Sequence, residues 1–399
     1  MASIRFNDLS FVYKKDEGIV RVVFLGIFYF NLREDEIGKI GKFKIEKNKI
    51  VFPTISLKRA ERKFYLLLQK GFKELKNTMT NKPTIYIHSN SGVPLIGNIA
   101  FGLVDRNTNI IEIKPITGCN LKCIYCSVDE DKRVNDIVIE KDYLVSEFKK
   151  LVEFKSTNNI EAHIASQGEP LLYSPLANLI KDLSSIPEVK TISIDTNGIL
   201  LTKKKIDELI EAGLTRFNVS VNAMEQKKAK IIAGKDYPLE KVKQSCKYIA
   251  KKAGIILTPV LIPKINEEEI PKIIEFAKEI GADVGIQNFL NYKLGRNPVK
   301  QISFDTFYKK LKSLEKIYNI KLIKSTRDFN IVKTKPLPKP FKKGDIIEAN
   351  IAFHGRLPNE KIAIAKDRTI SVINCNRQEG KIRVRIIRSK HNIFIGIPL

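Results

Sequence analysis

Cys119-Asn120-Leu121-Lys122-Cys123-Ile124-Tyr125-Cys126 puts three of the chain's five cysteines within eight residues, directly after the strand-like run Ile110–Pro115. Thiolates are soft ligands suited to iron–sulfur clusters, zinc or copper. A cubane cluster held wholly by protein takes four cysteines. The other two, Cys246 and Cys375, lie far along the chain from the triad and from each other. A cluster on the triad therefore keeps one iron free to bind something else. The competing readings are a zinc site short of a ligand, or three buried thiols. Zinc would want a fourth Cys or His at ligand spacing, and the nearest His after the triad is His163.

Working outward, strands near 111–115, 160–166, 190–196, 215–222, 255–262 and 283–290 alternate with helices near 139–155, 175–186, 203–212, 238–253, 267–280 and 304–318. Six β/α units in series imply a parallel sheet and an α/β fold. Side chains alternate between sheet faces. Ser193 and Asp195 are polar between Ile192 and Ile194; Arg216, Asn218, Ser220 and Asn222 alternate with Phe217, Val219 and Val221. Asp283, Gln287 and Asn291 share a face on the last strand. Helix-covered parallel strands are normally apolar on both faces, so a polar inner face implies a lumen holding water or ligand.

The CxxxCxxC spacing, with aromatic Tyr125 before the last cysteine, resembles the signature of the radical S-adenosylmethionine (SAM) enzymes, and the six units resemble that family's partial (β/α)6 barrel. The resemblance implies a 4Fe-4S cluster on Cys119, Cys123 and Cys126, with SAM chelated at the open iron. It implies an electron donor such as ferredoxin or flavodoxin, and cleavage of SAM to a 5′-deoxyadenosyl radical. Ser166-Gln167-Gly168-Glu169-Pro170 resembles the family's GGEP motif, with Gln167 in place of the first glycine. Gly168 would let the backbone approach SAM, and Glu169 would accept from its ammonium. Asn197, in Thr196-Asn197-Gly198, and Ser220 and Asn222 resemble SAM-contacting positions; the other reading of the last two is a satisfied polar strand end.

Further residues stay open between two readings. His163 shares a strand face with Gln167 and is either structural or a substrate contact. Asn266 reads as an N-cap. Tyr292 and Arg296 would stack on a base or grip phosphate, or else belong to an ordinary surface loop. Cys246 reads as an inert mid-helix thiol and Cys375 as a turn residue. In the resembled sulfur-inserting enzymes a second cluster needs three more cysteines, which this chain lacks. Carbon-centred chemistry is expected instead, with Cys375 the one candidate methyl carrier.

The flanks differ. Residues 1–105 read as an α+β region without a catalytic constellation. They carry strand-like runs at Ile19–Asn31, Gly41–Val51 and Thr84–His88, and one helix over Ser56–Asn77 with Leu66, Leu67, Phe72 and Leu75 on its apolar stripe. Gly97–Val104 and Ile110–Pro115 suit a hairpin. Residues 106–330 form the expected catalytic core. Lys333–Gly344 reads as a Pro- and Lys-rich linker. Residues 336–399 contain five short β-runs, the size of a small OB-like β-barrel. Residues 333–399 hold 15 Lys and Arg against 5 Asp and Glu, and Lys381, Arg383 and Arg385 alternate with Ile382, Val384 and Ile386. One strand face is thus cationic, suited to backbone phosphates. The pattern GDIIEANI…IAIA…VRI resembles the TRAM domain, an RNA-binding barrel of RNA-modifying enzymes.

Composition bears on partners and setting. A net charge of +26 over 399 residues favours a polyanion, most simply nucleic acid; the alternative is a lysine-rich proteome with solvated lysines. Five cysteines, three of them clustered, are not a disulfide framework and fit a reduced, cytoplasmic setting. MASIRFNDLS lacks the apolar core of a signal peptide, and no apolar run reaches the ~18 residues of a membrane span. Taken whole, the chain resembles archaeal radical SAM proteins with a C-terminal TRAM domain. The implied function is modification of a structured RNA, tRNA first, with the base flipped into the lumen. The rivals are a radical SAM enzyme acting on a protein side chain or small metabolite, and a non-enzymatic RNA-binding protein with a structural cluster.

Overall fold

The computed structural model describes residues 1–165 and 167–399; Ser166, first in the Ser166–Pro170 motif, lies outside the described residues. At the centre is a seven-stranded sheet of β1 (Gly102–Asp105), β2 (Ile110–Lys114), β3 (Ile160–Ile164), β4 (Val189–Thr196), β5 (Arg216–Val219), β6 (Gly254–Leu257) and β7 (Asp283–Val284), ordered as in the chain. β1 and β2 form an antiparallel hairpin; every later pairing is parallel. The crossovers carry α1 (Lys141–Lys155), α2 (Leu176–Ser184), α3 (Lys203–Glu211), α4 (Gln226–Ala233), α5 (Leu239–Ala250) and α6 (Glu269–Ile280), and α7 (Phe304–Tyr318) follows β7. This is the expected series of six β/α units.

Periodicity explains how the helices sit. α2 buries Leu176, Leu179, Ile180 and Leu183, a single stripe at helical spacing. It meets strand residues such as Ile192 and Ile194, which are buried on the outer sheet face. The inner face carries Glu112, Lys114, Glu161, His163, Ser193, Asp195, Arg216 and Asn218, so that face is polar as expected. Two residues expected there are elsewhere. Asp283 is exposed at the amino end of β7 and pairs with Lys324 at 2.9 Å, and Asn291 bonds Gln301 in the following loop.

In the N-terminal region a four-stranded antiparallel sheet and a three-stranded one accompany the helix Leu57–Phe72. The run Ile19–Asn31 is a hairpin, broken at Leu25–Gly26, where both residues have positive φ. The helix stripe differs from expectation: Ala60, Phe64, Leu68 and Gly71 are buried, whereas Leu66 is exposed. Gly71 fixes that register, because the Phe30 ring lies where its Cβ would be. Thr84–Ile87 pairs in parallel with Asp136–Ile139, tying this region to the strand that follows the cysteine loop.

The C-terminal strands β8 (Ile346–His354), β9 (Lys361–Ala365), β10 (Arg368–Val372), β11 (Gly380–Arg388) and β12 (Ile395–Pro398) close a barrel in the order β8-β9-β10-β12-β11, with β10 and β12 parallel. Its core holds Phe341 and Phe394 edge to face, with Cys375 among them. The segment before it is a strap rather than a free linker. Lys155 Nζ, paired with buried Asp105 at 2.8 Å, also donates to Thr334 Oγ1 at 2.6 Å, and Asn392 donates to Leu337 O. The barrel packs directly on the segment that leads into β1: Thr369 N donates to Ile96 O, Phe394 N to Gly97 O, and Asn98 Nδ2 to Ser371 Oγ at 3.0 Å. Gly97, at φ 133°, has no room for a side chain beside Thr369. Among the described residues no helix is long and apolar enough to cross a membrane.

Candidate cluster and cofactor site

The thiols of Cys119, Cys123 and Cys126 line one wall of a cavity of about 360 Å³ at the carboxyl ends of the parallel strands, where ligands of such sheets bind. The opposite walls come from segments that follow successive strands: Gly168 and Glu169, Asp195 to Asn197, Ser220, Thr258 and Gln287.

Three glycines cradle the cysteine loop. A Cβ on Gly168 would stand 2.5 Å from Gly118 O, one on Gly234 2.1 Å from Lys122 O, and one on Gly295 2.8 Å from Cys126 O. Lys122 N and Ile124 N donate to Ala233 and Ile232 carbonyls at the end of α4. Arg296 donates to Asp129 at 3.0 Å, Asp131 at 2.7 Å and Lys122 O at 3.0 Å, so it braces this loop instead of standing free for phosphate. Behind the loop, buried Arg133 bonds Thr117 O and pairs with Glu130 and Asp136.

Burial pushes all three thiols up, Cys123 to about 12. Three desolvated thiols held together need a cationic core before they ionise, and a metal cluster supplies one. Among the described residues no three His, Cys, Asp or Glu side chains converge as ligands of a single ion do. The three thiols share one wall of the cavity of about 360 Å³, which has room for a group larger than a single ion. The residues therefore fit an iron–sulfur cluster with room beside it.

The structure sorts the other expected residues. Gly168, Glu169, Asn197 and Ser220 line the cavity. Glu169 is already engaged: its carboxylate accepts from Leu171 N at 3.0 Å, Thr196 Oγ1 at 2.7 Å and Asn197 N at 2.9 Å. Burial raises it to about 7 despite those bonds. It clamps two loops together, and Oε2, which takes one of the three bonds, keeps acceptor capacity at the cavity wall. Asn197 Nδ2 donates to Asn120 Oδ1 at 2.8 Å, joining the cofactor loops to the cysteine loop. Asn222 does not line the cavity. Its amide holds the Tyr125 hydroxyl at 2.9 Å and accepts from Val260 N, so it anchors the cysteine loop. Asn266 is no N-cap; fully buried, it ties Ile262 N to the Asn222 and Val260 carbonyls. Cys246 is buried in α5, and Cys375 is 1% exposed in the barrel core, which removes it as a methyl carrier.

Under the cavity runs a charge network. Asp195, which faces the cavity, lies 3.3 Å from His163 Nε2 and accepts from Asn218 at 2.8 Å. His163 Nδ1 meets Ser193 Oγ at 2.7 Å, Ser193 donates to Glu161 at 2.6 Å, and Glu161 pairs with Arg216. Burial opposes the charged imidazole, but Asp195, with Glu161 and Glu112 behind it, raises its pKa overall; Asp195 is lowered in turn, burial being outweighed by His163. Strand alternation had marked Asp195 as inward-facing without marking it as a site residue. Gly234, Gly295 and Arg356 had no local signal at all.

Such a core, with three thiols over a polar lumen, defines a cluster-dependent barrel enzyme. Residues 113–277 match the radical SAM superfamily. The chain is 41% identical over 358 residues to the uncharacterized protein MJ0103 of Methanocaldococcus jannaschii, covering 81% of this chain and 82% of that one. It is 34% identical over 192 residues to GTP 3′,8-cyclase of Listeria monocytogenes, covering 47% of this chain and just over half, 55%, of the cyclase. Against the probable GTP 3′,8-cyclase of Methanococcus vannielii it is 28% identical over 287 residues, covering 69% of this chain and 91% of that one. The chain belongs to the radical SAM superfamily and binds a 4Fe-4S cluster and SAM.

Proposed function

We propose that this enzyme modifies a base of a structured RNA, tRNA first among candidates, by radical chemistry, drawing electrons from a ferredoxin- or flavodoxin-type donor. The observation that carries the RNA reading is on β11, where Lys381, Arg383 and Arg385 are exposed and Ile382, Val384 and Ile386 buried. The β8–β9 turn of this TRAM-like barrel bonds Gln167, next to the cavity-lining Gly168, and the reading has RNA held on β11 while its target base enters the cavity. Cluster and SAM, when bound, supply a 5′-deoxyadenosyl radical. In this reading Cys119, Cys123 and Cys126 hold the cluster, Gly168, Asn197 and Ser220 seat SAM, and Glu169 fixes their loops. Asp195, backed by His163, faces the substrate as a hydrogen-bond acceptor. With Cys246 and Cys375 both buried, carbon-centred chemistry is favoured over sulfur insertion. Nucleoside mass spectrometry of RNA from a deletion strain tests this: one modified nucleoside should vanish, and an unchanged profile would refute the RNA reading.

A second reading, a free nucleotide as substrate, draws support from the relatives named GTP 3′,8-cyclase. Thermal stabilisation by GTP but not by tRNA would favour it.

A further inference from the structure

We propose that Arg356, from the C-terminal barrel, is a positioning residue for the SAM-binding loop, so that the barrel forms part of the cofactor site. Arg356 sits in the turn between β8 and β9, where Gly355 N donates to Glu360 O and Leu357 N to the Glu360 carboxylate at 3.1 Å. A Cβ on Gly355 would collide with Glu360, so the turn has one tight shape. The turn is fastened to the segment after the cysteine loop: Val134 N donates to Arg356 O at 2.7 Å, and Asn135 Nδ2 to Gly355 O at 2.9 Å. From there the guanidinium, 5% exposed overall, reaches across the domain boundary, and Nη1 donates to Gln167 Oε1 at 2.8 Å.

Gln167 is followed by Gly168 and Glu169, which line the cavity, so the bond acts on the turn that carries them. Among the described residues, Arg356 Nε and Nη2, both buried, find no hydrogen-bond partner. A desolvated guanidinium whose one bond among the described residues goes to Gln167 is costly for a purely structural contact. Hydrogen bonds to charged groups are also the stronger kind. Both points favour a role in holding Gln167 in place.

The inference rests on the reading that this loop seats SAM. The test measures SAM affinity by calorimetry on anaerobically reconstituted protein, together with the change SAM causes in the electron paramagnetic resonance signal of the reduced cluster. Arg356→Ala and Gln167→Ala should each weaken SAM binding about tenfold, in line with loss of a charged hydrogen bond, at unchanged iron content. The double variant should lose no more than either alone, the mark of a shared interaction. Arg356→Lys should recover part of the affinity. Wild-type affinity in Gln167→Ala, which leaves the barrel intact, overturns the proposal even if Arg356→Ala fails to fold; so do fully multiplying losses in the double variant. Gly168→Ala separates the two layers. If it leaves SAM affinity unchanged, the loop reading itself fails. If it weakens SAM binding while the Arg356 and Gln167 variants do not, only this inference fails.

Discussion

His163 is the side chain whose state the lumen sets most directly. Its folded pKa is raised, so it contributes stability that is full below the unfolded value of about 6.5 and is lost as pH rises through the higher folded value. Asp195 is lowered, so its contribution is present above about 3.9 and is lost as pH falls through its depressed folded value. Between those limits the two form an ion pair. The chain has 4 histidines, so a carbon-13 histidine spectrum is simple enough to assign by the signal lost in His163→Gln. Its midpoint should lie above 6.5 and fall in Asp195→Asn; a midpoint below 6.5 would mean that burial outweighs the carboxylate. The thiols make a second residue-level prediction. Cys123→Ala should abolish bound iron and the brown colour, while Cys246→Ala, a change inside the apolar core, should keep both. Equal iron in the Cys123 variant and wild type would remove the cluster assignment.

For the elements, the glycine cradle explains how a loop with little regular structure is held still. Gly234 and Gly281 both close helices at positive φ, 65° and 71°. A Cβ meets Lys122 O at Gly234 and nothing within 4 Å at Gly281. Gly281→Ala should therefore cost only the left-handed backbone penalty of about 1–2 kcal/mol. Gly234→Ala should cost more in urea unfolding and lower the iron bound per chain. Equal costs with unchanged iron would show that the loop yields freely. This also marks what could be read from the sequence. The cysteine spacing, the β/α alternation and the Lys381–Ile386 pattern are local, so they were legible. The roles of Asn222, Asn266, Arg296 and Gly234 are contacts between distant segments, which no window contains. The stripe on Leu57–Phe72 was misread because Leu66 and Leu67 outweighed the small Ala60 and Gly71, the residues that let the helix approach its sheet.

On the scale of the whole molecule, the excess positive charge gains a location. If Lys381, Arg383 and Arg385 contact phosphates, neutralising all three should flatten the log–log salt dependence of tRNA binding by roughly 2–3 units, at about 0.7–0.9 per contact. The effect belongs at the lower end, because Lys381 already pairs with Glu348 at 3.0 Å. Lys58, Arg59 and Arg62, exposed on the N-terminal helix, are the control; neutralising them should leave the slope alone. Equal flattening from both sets would mean diffuse attraction and no dedicated face.

Chain order also gives this molecule a timetable. β12 is the last strand of the barrel in chain order, and it pairs with both β10 and β11, so the barrel closes only once that strand has emerged. The cysteine loop has emerged long before, and until closure the Arg356 turn rests against Gln167 and Val134 with only its own hairpin behind it. Iron and sulfide thus have a natural interval for loading, and finished apo-protein must open locally to regain it. Reconstitution of full-length apo-protein should therefore accelerate in urea too dilute to unfold it; a rate that stays flat or falls would show the loop open at all times.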